Sequence, residues 1–219
     1  MDVSVQTVWI NTPENVYCQD LDDEKMNAEI LSVLKNLEYR DAVKGLSPLV
    51  AEVQTFDLDE EPWITLKKHV DKLAKIALIE DNNRNPHTRY RSKKKVWTER
   101  WHDTLQTISM WAVKYDGVRA DHAKLHDHFP ALYTFCYYIE DPEEENYSLP
   151  PLFIGSKVGQ GGFSIDVKNG RLVLFRGDID HGTVMQKFQG TRYCIGGSIH
   201  HIMSDEKFNI GPILPSKED

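Results

Sequence analysis

The sequence has little cysteine. Its three, Cys18, Cys136 and Cys194, are odd in number and widely scattered, which argues against both a disulfide framework and a thiolate zinc site and leaves reduced, partly buried thiols as the expectation. It also lacks any apolar run approaching the length of a membrane span, and residues 1–6 carry neither the basic nor the apolar region of a secretion signal. A cytoplasmic protein with no membrane partner is expected. No glycine-rich phosphate loop opens a helix, no Gly-x-Ser-x-Gly element is present and no internal repeat is visible, so the common nucleotide-loop and serine-hydrolase signatures are missing. Nor is positive charge in excess. A net charge of -8 argues against general nucleic-acid binding. One stretch runs against that average: residues 84–101 carry Arg84, Arg89, Arg91, Lys93, Lys94, Lys95 and Arg100 against Glu99, with Tyr90, Trp97 and Trp101 interleaved. Such a stretch can bind single-stranded nucleic acid by phosphate neutralisation and stacking, or serve as a solvated loop whose tryptophans turn into the core.

What is present is the composition of a soluble globular chain, long enough at 219 residues to bury one core. The apolar spacing changes along it. Asp20 or Asp22 can cap a first helix near 22–38, in which Met26, Ile30, Val33, Leu34 and Leu37 recur at helical spacing. Pro62 suits the first turn of a second helix near 62–79, with Trp63, Leu66, Val70, Leu73 and Ala77 on its buried stripe and His69 beside it. Residues 3–10 read as an outer strand ended by a turn at 11–13, residues 50–58 as a further strand, and residues 81–95 as a long polar loop. From about residue 105 the period becomes two, and strands are predicted at 106–116, 131–140, 163–167, 171–175 and 191–202. Many short strands after two helices predict a single α+β domain, residues 1–219. In it, residues 1–104 supply helical and outer-strand support and residues 105–211 form a β-barrel-like sandwich.

The chemistry concentrates in the second half. His126-Asp-His128 stands just before the aromatic run 131–138, and in an extended chain His126 and His128 share a side while Asp127 points away. Further on, Gly170 opens a short strand, His181 follows eleven residues later, and Arg192 eleven after that. Two imidazoles on one side and a third from a distant strand make a facial triad for a divalent metal, and the arginine on the next strand can fork around a carboxylate. The usual triad in non-haem iron oxygenases is two histidines and a carboxylate. Here a histidine stands in the carboxylate position. His122, four residues before His126, more readily faces solvent or substrate, and His200 and His201 close the last strand pointing in opposite directions.

These blocks resemble the 2-oxoglutarate- and iron(II)-dependent oxygenase superfamily, in particular its bacterial and phage group with a Trp…Gly…His-x-His…Tyr-Tyr block. Its counterparts are Trp111 to Gly117, His126-Asp-His128 and Tyr137-Tyr138, followed by Gly170, residues 172–175, His181 and Arg192. The resemblance covers the second half well and the first half loosely. It implies a double-stranded β-helix (a jelly-roll or cupin-like barrel) with flanking helices. It further implies iron(II) on His126, His128 and His181, 2-oxoglutarate held through its distal carboxylate by Arg192, and a hydroxylation reaction. The substrate, small molecule or macromolecule, is expected in loops outside the barrel, with the acidic stretch 141–149 and the glycine-rich stretch 155–162 as lids. Homo-oligomers are compatible with the pattern.

Two other classes of function stay open at this point. Cupin-type dioxygenases use three-histidine sites without 2-oxoglutarate, but usually add a glutamate a few residues after His-x-His, and the next carboxylate here is Glu140. Alternatively, the barrel is a metal-free binding or structural module with residues 84–101 as its contact surface.

Overall fold

The computed structural model describes residues 3–9, 13–43, 46–51, 56–84, 105–119, 122–141, 151–155, 161–183 and 187–201. The basic stretch after Arg84, the acidic stretch after Asp141, residues 156–160 and the tail lie outside the described residues, and so do the expectations placed on them. In chain order the elements are β1 (Val3–Trp9), β2 (Pro13–Asp20), α1 (Glu24–Lys35), β3 (Arg40–Val43), β4 (Leu46–Ala51), α2 (Trp63–Arg84) and β5 (Leu105–Asp116). They continue with β6 (Tyr133–Glu140), β7 (Leu152–Gly155), β8 (Gly162–Ile165), β9 (Arg171–Arg176), β10 (His181–Thr183) and β11 (Thr191–His201). Eight strands form one antiparallel sheet in the order β1-β2-β9-β6-β11-β5-β4-β3, and β10-β7-β8 form a second. No helix among the described residues is long and apolar enough to cross a membrane.

The central strands of the large sheet are buried on both faces because they carry apolar or aromatic side chains at successive positions. In β6, Tyr133, Phe135, Tyr137 and Ile139 join the helix-side core with Leu172 and Leu174 of β9 and Tyr193 and Ile195 of β11. The alternate residues, Cys136, Tyr138, Val173, Phe175 and Cys194, join Leu152, Ile154 and Ile165 of the small sheet in a second core. Period two thus sorts the same strands into a structural layer under the helices and a second layer between the sheets. His181 and Arg192 border that second layer.

Each helix is fixed by a carboxylate. Asp23, rather than Asp20 or Asp22, caps α1 by accepting from the Met26 N–H at 2.9 Å, and Met26, Ile30, Leu31 and Leu34 bury its apolar face. In α2, Asp71 accepts from the N–H and hydroxyl of Thr107 on β5 at 2.9 and 2.7 Å. The helix runs on to Arg84, through residues that sequence alone assigns to a loop. The reason is tertiary: Asp81 accepts from Tyr17, Tyr133 and Asn15 of the large sheet at 2.5, 2.7 and 2.9 Å, which holds the last turns of a polar segment against the core. Asp81→Ala would leave the phenols of Tyr17 and Tyr133 without their carboxylate. We expect a loss of about 2–4 kcal/mol, seen in thermal melts as a fall of roughly 5–15 °C, with Asp81→Asn intermediate.

His201, at the end of β11, is held down to about 4 by burial and by His200 beside it. The ordinary value is about 6.5, so between these values the native state binds fewer protons than the unfolded chain. Its contribution is fully present above about pH 6.5 and is lost as pH falls toward 4. The melting temperature should therefore decline over that window, and His201→Gln should make the decline shallower.

Candidate metal centre

The three histidines come together through short, local backbone pairing. His126 and His181 form an isolated antiparallel bridge in which each N–H donates to the other's carbonyl, at 3.0 and 2.8 Å. The segment leading into it lies along β10: Thr183 N–H donates to Ala123 O at 2.9 Å, and Ala123 N–H to Thr183 Oγ1 at 2.6 Å. That close approach requires glycine between the two, since a Cβ on Gly182 would sit 2.6 Å from Ala123 O. His128 is placed differently, by its N–H to Gly177 O at 2.7 Å in the turn after β9 and by a turn closed from Ala131 N–H to its own carbonyl. The result agrees with the predicted sides: His126 and His128 face the site and Asp127 is exposed. Its cause is not a strand, because residues 127–132 are irregular and β6 starts only at Tyr133.

The imidazole ring centres are 4.4 Å apart for His126 and His181, and 5.0 Å apart for each of these with His128. One ligand atom from each lies within 4.8 Å of the other two, and among the described residues no carboxylate or thiolate joins the group. Atoms so spaced share a centre within about 2.8 Å of each, close to the metal–imidazole bond of about 2.1 Å, so small side-chain rotations complete the coordination. The donor chemistry fits. His126 Nδ1 faces Lys124 O at 2.7 Å and buried His181 Nδ1 faces Ile179 O at 3.2 Å; a carbonyl can only accept, so Nδ1 carries the proton and Nε2 keeps a lone pair. Burial, and after it the electrostatic effect of the neighbouring His126 ring, pushes the His128 imidazole down to about 4, which keeps it a neutral donor at physiological pH. Three imidazoles fit one divalent cation, and among the described residues no anionic side chain joins them.

A cation lies across the gap. Arg192, the second residue of β11, is 1% exposed, with its guanidinium 4.3 Å from the ring of Tyr115 and 5.6 Å from that of Tyr138. Tyr115 is its register partner on β5 and Glu140 its partner on β6. Burial raises both phenols well above the ordinary range, against the opposing pull of Arg192, so both stay protonated and can donate. The row facing the small sheet therefore runs from Arg192 and the two phenols, past the buried thiols of Cys136 and Cys194, to Trp111 and Phe175 at the histidines. All three cysteines are buried, more than the sequence suggests.

All four predicted site residues thus border one layer, His126, His128 and His181 as a convergent triad and Arg192 deeper on the large sheet. His122 is half-buried and stands outside the ligand group, as do His200 and His201. Sequence reasoning gave no role to Tyr115, Tyr138 and Trp111. Their shared face with Arg192 follows from the β5–β11–β6 register, which local periodicity does not encode.

No family profile matches the sequence, and no curated protein matches it. Solved structures do. The chain is similar to a prolyl-4-hydroxylase from Pseudomonas putida, at 12% identity and a TM-score of 0.57 over 86% of this chain and 94% of the other. It is similar to SnoN, a non-haem α-ketoglutarate-dependent epimerase from nogalamycin biosynthesis, at 11% identity and a TM-score of 0.58 over 94% and 87%. It is also similar to a prolyl hydroxylase from Trichoplax adhaerens, solved with a hypoxia inducible factor peptide fragment, at 13% identity and a TM-score of 0.52 over 85% and 83%. At such identities the likeness is one of fold. The chain shares the fold of these prolyl hydroxylases and of the non-haem α-ketoglutarate-dependent epimerase.

Proposed function

We propose that the protein is a 2-oxoglutarate- and iron(II)-dependent oxygenase that hydroxylates a substrate held outside the layer between its sheets. The observation that carries this reading is the convergence of His126, His128 and His181 at one end of a buried row whose other end is Arg192. In this reading the two sheets are the halves of a double-stranded β-helix. When bound, iron and 2-oxoglutarate supply the oxidising chemistry: one atom of dioxygen enters succinate as carbon dioxide leaves, and the other enters a C–H bond of the substrate.

The chain's own residues do the positioning. The Nδ1–H groups of His126 and His181, donated to carbonyls, turn their Nε2 atoms toward the metal, and His128 adds a third neutral donor. Arg192 supplies a buried positive charge for the distal carboxylate, and the protonated phenols of Tyr115 and Tyr138 belong to the rings packed against it. Val113, Val173, Phe175, Ile154 and Ile165 form the apolar walls that exclude water around that charge.

A ligand group that, among the described residues, is three histidines favours a second reading, a cupin-type three-histidine dioxygenase that does not use 2-oxoglutarate. One assay separates the two. Protein loaded with iron(II) and kept reduced with ascorbate should release succinate slowly from 2-oxoglutarate without added substrate, above the level of His181→Ala. If wild type releases no succinate and His128→Asp shows no gain, the oxygenase reading fails.

A further inference from the structure

We infer that Trp111 is a positioning residue that sets the His128 imidazole for metal binding, and that it can do so because residue 196 is glycine. This rests on the proposed metal site. His126 and His181 are oriented by hydrogen bonds from Nδ1 to backbone carbonyls, whereas among the described residues the ring nitrogens of His128 have no hydrogen-bond partner. Something else must set that ring. The indole of Trp111 lies against it, ring centres 5.0 Å apart and planes inclined by 40°.

The indole is in turn set by the strand beneath it. Trp111 on β5 is the register partner of Gly196 on β11, and both face the layer between the sheets. A Cβ on residue 196 would lie 2.5 Å from Nε1, 2.6 Å from Cε2 and 2.9 Å from Cζ2 of Trp111. These atoms belong to the rigid body of the indole, which therefore lies flat over the bare glycine backbone rather than standing up into the layer. The imidazole of His128 is larger than the carboxylate usual at its position and needs the volume that an upright indole would take. Gly196, Trp111 and His128 thus form a stack of three, in which the glycine lets the indole lie down and the indole's outer face meets the imidazole. The bulkier ligand is accommodated by the sheet below it.

Cobalt(II) titration of the full chain, read by dissociation constant and by the visible spectrum of the bound ion, tests the stack. Trp111→Ala should weaken binding about 10-fold, as loss of a partner that orients a ligand does, while Trp111→Phe, which keeps an aromatic face, should stay within about threefold of wild type. Gly196→Ala should weaken binding about 10- to 100-fold and change the spectrum, because the indole is driven toward His128. Removing the indole in the Gly196→Ala background should then restore binding to the level of Trp111→Ala alone. A wild-type constant and spectrum in Gly196→Ala, or effects that simply multiply in the double variant, overturn the inference. If Gly196→Ala does not fold, the tryptophan pair decides: equal constants for Trp111→Ala and Trp111→Phe overturn it. A wild-type protein that binds no cobalt overturns the metal site itself, and this inference with it.

Discussion

Replacing His181 with alanine is expected to abolish stoichiometric metal binding while leaving the fold in place. The two effects separate because of how His181 is held. Its bridge to His126 and its pairing with Ile154 of β7 are made by backbone groups, which alanine retains. Only the imidazole is lost, and with it one of three ligands and the edge contact to Phe175 at 4.7 Å. Losing a partner that merely orients a ligand costs about 10- to 100-fold in metal affinity, so losing a ligand should cost at least about 100-fold. Metal content after dialysis, with a circular dichroism spectrum as the control for folding, reads both. His200→Ala, outside the triad, should leave metal content unchanged. Equal metal in wild type and His181→Ala would mean that the bound ion is elsewhere.

The second large effect is expected at Arg192. A guanidinium that is 1% exposed is costly to bury, and the compensation proposed here is the distal carboxylate of 2-oxoglutarate. Arg192→Met keeps the volume and removes the charge. Breaking a buried charge pair from one side costs about 3–5 kcal/mol, so 2-oxoglutarate affinity should fall by roughly two to three and a half orders of magnitude. The rise in melting temperature that 2-oxoglutarate gives wild type should vanish. Arg192→Lys keeps the charge without the planar fork and should lie between. Unchanged affinity in Arg192→Met would favour the cupin-type reading.

Much of this arrangement was legible from residue spacing, and what was not has physical causes. The two helices and strands β5, β6, β9 and β11 are long, or continuous enough in apolar character, for their periods to show. β7 and β10 are four and three residues long, too short for any period, yet β10 carries His181. Strand β2 begins at Pro13, a residue that reads as a turn, and the β3–β4 pair spans residues 40–51, before most of the strand expected at 50–58. A proline is tolerated there because it is the first residue of its strand. Pro62 precedes α2 instead of lying in its first turn, and the helix outlasts its apolar stripe because Asp81 is tied to the sheet. At the site, spacing and family resemblance together picked out the three histidines, which the fold brings together, and Arg192, which it buries. Trp111 and Tyr138 stood in the family blocks without a role, and Tyr115 and Gly196 were given none, because each matters through its neighbour on another strand.

The central claim is that the three imidazoles and Arg192 together form one site for a metal-chelating dicarboxylate. Calorimetric titration of 2-oxoglutarate into wild-type protein under anaerobic conditions, with and without one equivalent of iron(II), tests it most directly. One site per chain that tightens markedly when the metal is present is the expected result. Absence of binding in both titrations, or equal binding with and without iron, would contradict it.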